Sequence, residues 1–363
     1  MQTPQTTKPS SPETQDYPIN AWYAAAYDVE LKNELLARTI CDRDLVMYRR
    51  ADGRPVVLAD SCWHRMLPLS KGRLVEDEVV CGYHGLRFNG DGRCTHMPSQ
   101  ETVNPTACVR SYPAIQKHRF IWVWMGDPAA ADPGAIPDLH WNDDPAWAGD
   151  GEVIHVKCNY KLVLDNLMDL THETFVHGSS IGQDAVAESP FMTFHGATRV
   201  EVERWMADLE TAPPFWRQQM IWKFGEAGPV DRWQIIRFEA PSTIAIDVGV
   251  AAAGTGAREG DRSAGVNGYV LNTITPERNG SCWYFWAFCR NYALSDQAIT
   301  QRIKAGVRNV FGEDELILEA QQKAVDSHPG RDFYNLNIDA GGVWARKLID
   351  RMIEAEQERV AAA

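Results

Sequence analysis

The chain is defined first by what it lacks. No apolar run reaches the roughly 20 residues that cross a bilayer, so no membrane partner is expected. Positive charge is in short supply. Lys and Arg number 36 against 49 Asp and Glu, a net charge of −13. Phosphate backbones repel such a surface, which argues against nucleic acid as a partner. The opening stretch MQTPQTTKPSSPETQD has neither the basic start nor the apolar core of a secretory signal. It predicts a disordered tail over residues 1–17 and a cytoplasmic protein. Cysteine is sparse, with eight in 363 residues. A disulfide framework is not expected in such a chain. Cys41, Cys108, Cys158, Cys282 and Cys289 lie among apolar neighbours and read as buried packing residues. Cys62 and Cys81 do not.

Sustained helical periodicity is missing from the first third. INAWYAAA, DLVMYRR, PVVLAD, EVVCGYHGLRFN and RFIWVWMG are short aromatic and β-branched bursts. Asp52-Gly53, Asn89-Gly90 and Asp91-Gly92 supply turns. An all-β domain over 18–130 follows. The Pro-, Gly- and Asp-rich segment 131–151 reads as a linker. The remainder, 152–363, opens on a helix. It continues through strand candidates ATRVEVERW, WQIIRFEA, STIAIDVGV, GYVLNTITP and CWYFWAFCRNY, and closes on two helices. That order predicts an α+β domain, an antiparallel sheet covered by helices.

Two sites carry chemistry. Cys62-Trp63-His64 is followed sixteen residues later by Cys81-Gly82-Tyr83-His84. Two Cys and two His can hold zinc. Zinc fingers, however, usually pair like with like in each arm, and here each arm is mixed. The mixture suits a [2Fe-2S] cluster with thiolates on one iron and imidazoles on the other. The second site is DNLMDLTHETFVH, residues 165–177. Asn166, Asp169 and His172 recur every third residue, a stripe on one helix. His177 lies five residues beyond His172, about 140° away on an ideal helix. Both imidazoles reach one metal only if the helix loosens or ends between them, and the β-branched Thr174 and Val176 suit an ending there. Two His and a carboxylate form the facial set that binds non-haem Fe(II). Asp314 in FGEDELILEAQ is the candidate third ligand, on a helix expected to turn Leu316, Ile317 and Leu318 to a core.

The mixed Cys/His arms together with Asn-x2-Asp-x2-His-x4-His resemble the oxygenase components of Rieske non-haem iron oxygenases, from about Pro18 to the last helix. APPFW at Ala212–Trp216, PVDRWQI at Pro229–Ile235, WYFW at Trp283–Trp286 and NIDAGGV at Asn337–Val343 resemble the vanillate O-demethylase branch. WHRMLPLSKG at Trp63–Gly72 departs from the Pro-His-Arg-Gly-Ala-Pro pattern of some members. The resemblance implies a Rieske domain followed by a helix-grip catalytic domain, and a homotrimer. Cys62, His64, Cys81 and His84 would hold the cluster, and His172, His177 and Asp314 the mononuclear Fe(II). Asn166 would stand beside that iron. The Asp169 carboxylate would bridge His172 to His84 of a neighbouring subunit. The implied activity is oxidative O-demethylation of a methoxylated aromatic acid, vanillate to protocatechuate, in aromatic and lignin catabolism. O2 would be co-substrate, and electrons would come from NAD(P)H through a flavin/[2Fe-2S] reductase. Another methoxy- or methyl-arene, such as a chlorinated methoxybenzoate or an aryl sulfonate, and simple electron carriage remain alternatives. Arg237, on a strand expected to face inward, is the candidate carboxylate anchor. Phe215 and Trp286 are candidates for stacking on the ring.

Overall fold

The computed structural model describes residues 16–362. Most of the expected tail lies outside the described residues. Its last two positions are folded: Tyr17 is buried, and Asp16 pairs with Lys161 at 2.8 Å.

The N-terminal domain is built from eleven strands. They are β1 (Trp22–Tyr27), β2 (Leu36–Ile40), β3 (Arg43–Arg49), β4 (Pro55–Ala59), β5 (Arg73–Val75), β6 (Glu78–Val80), β7 (Arg87–Phe88), β8 (Cys94–His96), β9 (Ser111–Tyr112), β10 (Ala114–Lys117) and β11 (Phe120–Trp124). They form three antiparallel sheets, ordered β1-β11-β10, β2-β3-β4-β9 and β5-β6-β7-β8. Strands this short and apolar gain stability by packing sheet on sheet.

The second domain is a seven-stranded antiparallel sheet. Its strands are β12 (Ala148–Val156), β13 (Phe191–His195), β14 (Arg199–Leu209), β15 (Val230–Glu239), β16 (Thr243–Ala252), β17 (Gly265–Arg278) and β18 (Ser281–Arg290), in the order β12-β18-β17-β16-β15-β14-β13. The linker boundary is corrected: β12 starts inside the segment 131–151 and pairs with β18 from Ala148 onward. Its glycines fit because pairing leaves them no room. A Cβ on Gly151 would lie 1.7 Å from the Trp286 carbonyl oxygen.

Period-two alternation gives this sheet two faces. On β18, Phe285, Ala287 and Cys289 pack against Trp22, Tyr27, Phe120 and Trp122 of the N-terminal domain. Cys282, Tyr284, Trp286 and Phe288 point to the opposite face, into the main core with the helices. The helices are α1 (Tyr160–Met168), α2 (Glu173–Val176), α3 (Asp184–Glu188), α4 (Pro214–Phe224), α5 (Gln297–Ser327) and α6 (Ala340–Ala362). Asn159 caps α1 by accepting from the Lys161 amide, and Asp296 caps α5 by accepting from the Ile299 amide. C-terminal α6 is held to α1 by Arg346, whose guanidinium grips both Asp165 oxygens. Cys108 is exposed, contrary to its expected burial; Cys41, Cys158, Cys282 and Cys289 are buried.

Candidate active site

The Cys/His arms form two loops of the same design. The Cys62 amide donates to the Leu67 carbonyl and the Met66 amide to Cys62. In the second loop the Cys81 amide donates to Leu86 and the Gly85 amide to Cys81. Each loop places its residue four past the cysteine in the left-handed region, Met66 at φ 58° and Gly85 at φ 77°. Glycine adopts that conformation freely and methionine does not. The departure at Trp63–Gly72 therefore puts a mildly strained, exposed side chain beside one loop. Gly82 is needed for a different reason, since a Cβ there would lie 2.6 Å from the Lys71 carbonyl oxygen.

The loops bring the four ligand-type side chains together. The Cys62 and Cys81 thiols are buried and in contact, and burial pushes the Cys62 thiol up. The His64 and His84 rings lie 4.7 Å apart and are exposed. This donor set fits a Rieske cluster: buried sulfur on one side, outward imidazoles on the other.

The segment 165–177 is not one helix. Helix α1 stops at Met168, and Asp169 is extended, at φ −129° and ψ 108°. A tight turn over Leu170–His172 leads into α2, which ends at Val176. The expected ending at Val176 is present, but an earlier break at Asp169 removes the single-helix stripe. Asp169 makes the break itself: its Oδ1 accepts from the Thr171 amide at 3.0 Å, a cap that competes with continued helix.

This broken path delivers both imidazoles to Asp314 on α5. Asp314 Oδ1 is 3.4 Å from His172 Nε2 and 3.2 Å from His177 Nε2. The three side chains offer one ligand atom each, all within 4.8 Å of one another. Their opposite ring nitrogens are tied down. His172 Nδ1 donates to the Asp169 backbone carbonyl at 2.8 Å, and His177 Nδ1 to Glu313 Oε2 at 2.6 Å. Those bonds fix the tautomer that aims the Nε2 lone pairs at the common centre, so the geometry fits a mononuclear Fe(II). Asn166 Nδ2 lies 3.2 Å from Asp314 Oδ1 and 3.3 Å from His172 Nε2.

Electrostatics point the same way. Burial alone would raise the Asp314 carboxyl, but His172 and His177 outweigh it and hold it at about 2. Burial lowers both histidines, and Asp314 outweighs that and leaves each raised. Protons therefore compete with a cation for this centre. Nothing in FGEDELILEAQ singles out Glu313 from its acidic neighbours. Replacing Glu313 with glutamine should weaken iron affinity about tenfold, the usual scale for a partner that orients a ligand. Iron-binding titrations of the metal-free protein check this; unchanged affinity would remove Glu313 from the role.

Three expectations are corrected. The Asp169 group that holds His172 is the backbone carbonyl, while its carboxylate caps Thr171 and lies 3.7 Å from Arg204 Nη2. Leu316 and Ile317 are 74% and 52% exposed, so of the three apolar residues only Leu318 enters the core. Arg237 is not in the cavity. It sits half-exposed on the outer face of β15, 3.3 Å from Glu201.

The cavity above the metal centre is walled by Leu167, Ile181, Phe215, Ile246, Val270 and Phe288, among others. Phe215 is among the lining residues, edge-on to Phe288 at 5.7 Å. Trp286 is on the same sheet face but wholly buried, packed against Phe311 at 5.3 Å, and is not among the lining residues. The polar wall was missed from sequence. Glu173, Arg232 and Gln234 line the cavity as a linked set: Arg232 Nη2 and Gln234 Nε2 both donate to Glu173 Oε2, at 2.7 and 2.9 Å. No sequence signal singled them out, because β15 is apolar on both faces. Arg232 and Gln234 share the inner face of β15 with Ile236 and Phe238, and Arg237 cannot.

A Rieske-type cluster domain joined to a two-histidine, one-carboxylate centre under a helix-covered sheet defines the oxygenase subunit of a Rieske non-haem iron oxygenase. Comparison with known proteins narrows the class. Residues 21–113 match the Rieske [2Fe-2S] domain, and residues 156–355 match the vanillate O-demethylase oxygenase C-terminal domain. The vanillate O-demethylase oxygenase subunit of Pseudomonas sp. (strain HR199 / DSM 7063) is 43% identical over 348 residues, 96% of this chain and 98% of that protein. That of Pseudomonas sp. (strain ATCC 19151) is 46% identical over 319 residues, 88% of this chain and 96% of that protein. The crystal structure of dicamba monooxygenase bound to 3,6-dichlorosalicylic acid superposes with a TM-score of 0.85 at 34% identity, covering 93% of this chain and 98% of that one. The chain belongs to the vanillate O-demethylase oxygenase family. It is an oxidative demethylase that uses a Rieske [2Fe-2S] cluster, a mononuclear iron and O2. Among the described residues, no helix is long and apolar enough to cross a membrane.

Proposed function

We propose that this chain is the cytoplasmic oxygenase component of an aryl O-demethylase, with vanillate as substrate and protocatechuate as product. A separate flavin/[2Fe-2S] reductase fed by NAD(P)H supplies electrons, and three copies of the chain assemble into the working oxygenase. The observation that carries the reading is the cavity. It is apolar enough for an aromatic ring, polar at one wall, and lined by His172, His177 and Asp314. Iron held there supplies O2 activation. The methoxy carbon gains one oxygen atom from O2, and the other leaves as water with two electrons and two protons from the reductase. The resulting hemiacetal loses its aryl oxygen as the phenol and its carbon as formaldehyde. The protein's part is placement: Phe215 and Phe288 clamp the ring, while Leu167 and Ile181 help exclude bulk water.

The test is substrate-dependent O2 consumption together with formaldehyde release across a panel of methoxybenzoates, a chlorinated methoxybenzoate and an aryl sulfonate, with an NADH-fed reductase. Vanillate should give the highest kcat/KM and one formaldehyde per phenol formed. A chlorinated methoxybenzoate or sulfonate turned over faster than vanillate would overturn the substrate assignment.

A further inference from the structure

The polar wall of the cavity is unfinished. Arg232 is 2% exposed and Gln234 is 2% exposed. Arg232 spends one nitrogen on Glu173, yet its Nε and Nη1 have no hydrogen-bond partner, and neither does the Gln234 Oε1. Buried guanidinium nitrogens without an acceptor are costly, and native structures seldom leave them so. The missing acceptor has to come from the space they border. That space is the cavity, where Arg232 is the one guanidinium or ammonium among the described lining residues.

Other cations do not compete for the role. Arg204 also has an unpartnered Nε, but it does not line the cavity and is engaged with Thr171 and Asp169. Arg237 is on the outer face with Glu201. Glu173 does not cancel Arg232. It occupies one Nη2 donor and is shared with Gln234, which orients the guanidinium and leaves its other donors open. Burial lowers the Arg232 group, and the Glu173 charge opposes that, as a guanidinium kept charged in an apolar wall requires.

We propose that Arg232 anchors the substrate: its unpartnered donors hold the carboxylate of the aromatic acid, with the Gln234 carbonyl beside it to accept from a ring hydroxyl. This rests on the reading that the cavity takes an aromatic acid, and it adds the residue that selects for the acid. Glu173 follows iron ligand His172 directly in the chain. The anchor is thereby tied to the segment that holds the metal, and a ring gripped at its carboxylate has its position relative to that metal set by α2.

The experiment measures binding without turnover. The metal-loaded oxygenase is titrated with 4-hydroxybenzoate and with its methyl ester, neither of which has a methoxy ether to lose, following quenching of tryptophan fluorescence. Wild type should prefer the acid by about 30-fold, the scale of charge-assisted bonds to a buried guanidinium. The double variant Arg232→Met/Glu173→Gln, which removes the anchor without stranding a buried charge, should bind acid and ester alike. Arg232→Lys keeps the Glu173 pair and a charge and is the milder change. It should lose about tenfold for the acid and nothing for the ester. An ester bound by wild type as tightly as the acid overturns the proposal. So does an acid preference that survives in the double variant or, should that protein not fold, is unaltered in Arg232→Lys. Because these probes are not demethylated, a failed formaldehyde panel with an intact acid preference would sink the demethylase substrate and leave the anchor standing.

Discussion

Replacing Asp314 with alanine is expected to take iron from about three atoms per chain to about two, with the visible spectrum of the cluster unchanged. Turnover should fall by about 1,000-fold or more, since the metal supplies the chemistry. The argument is geometric. Asp314 is the only one of the three ligands that comes from α5, and it stands within 3.4 Å of both imidazole Nε2 atoms. Its removal leaves two neutral donors flanking α2, with no charged ligand to hold a dication in a buried site. The fold should survive. Asp314 is 5% exposed, and the helix is anchored independently of it by Ile299, Ile303, Val307 and Phe311 in the core. Metal analysis and circular dichroism on one preparation separate the outcomes. An alanine variant that keeps its third iron removes Asp314 from the ligand set.

How far the sequence reached is clearest at this centre. The ligand types and their spacing were legible because metal chemistry restricts them: few side chains bind iron, and the mixed Cys/His arms suit few alternatives. The β-rich first domain and the antiparallel sheet were legible because strand patterning is local. What was not legible depends on contacts far apart in the chain. His177 meets Glu313 across 136 residues, and Arg232 meets Glu173 across 59. No local pattern announces either pair. Arg237 was misplaced for a simpler reason. A strand hydrophobic on both faces gives no parity signal, and β15 has Trp233 and Ile235 on one side and Ile236 and Phe238 on the other. Leu316 and Ile317 mislead similarly: apolar residues on a helix read as core, yet these two face outward. The break at Asp169 was hidden because its cause is one side chain capping its own turn, a choice that competes closely with helix.

Asp169→Asn should keep both metal centres and slow turnover by about 100-fold, the upper end for a group that acts through a metal ligand. The structure sharpens why. The His172 ring is held by the Asp169 backbone carbonyl, which asparagine retains, and the cap on Thr171 needs only a side-chain oxygen, which asparagine also has. The substitution therefore removes charge and little else from this subunit. Any large effect must come through the carboxylate's remaining valence. Apart from the Thr171 amide, its charged neighbour among the described residues is Arg204, at 3.7 Å, a separation too long for a hydrogen bond. A carboxylate with an oxygen to spare next to an iron ligand suits an imidazole N–H from outside the chain, and in the assembly proposed above that donor would be His84 of a neighbouring copy, which is exposed on its loop. Stopped-flow oxidation of the pre-reduced cluster, with substrate and O2 present, reads the step directly. Cluster oxidation should slow in step with turnover, while iron content and substrate affinity stay at wild-type values. A variant that oxidises its cluster at the wild-type rate would show that electrons reach His172 by a path that does not use this carboxylate.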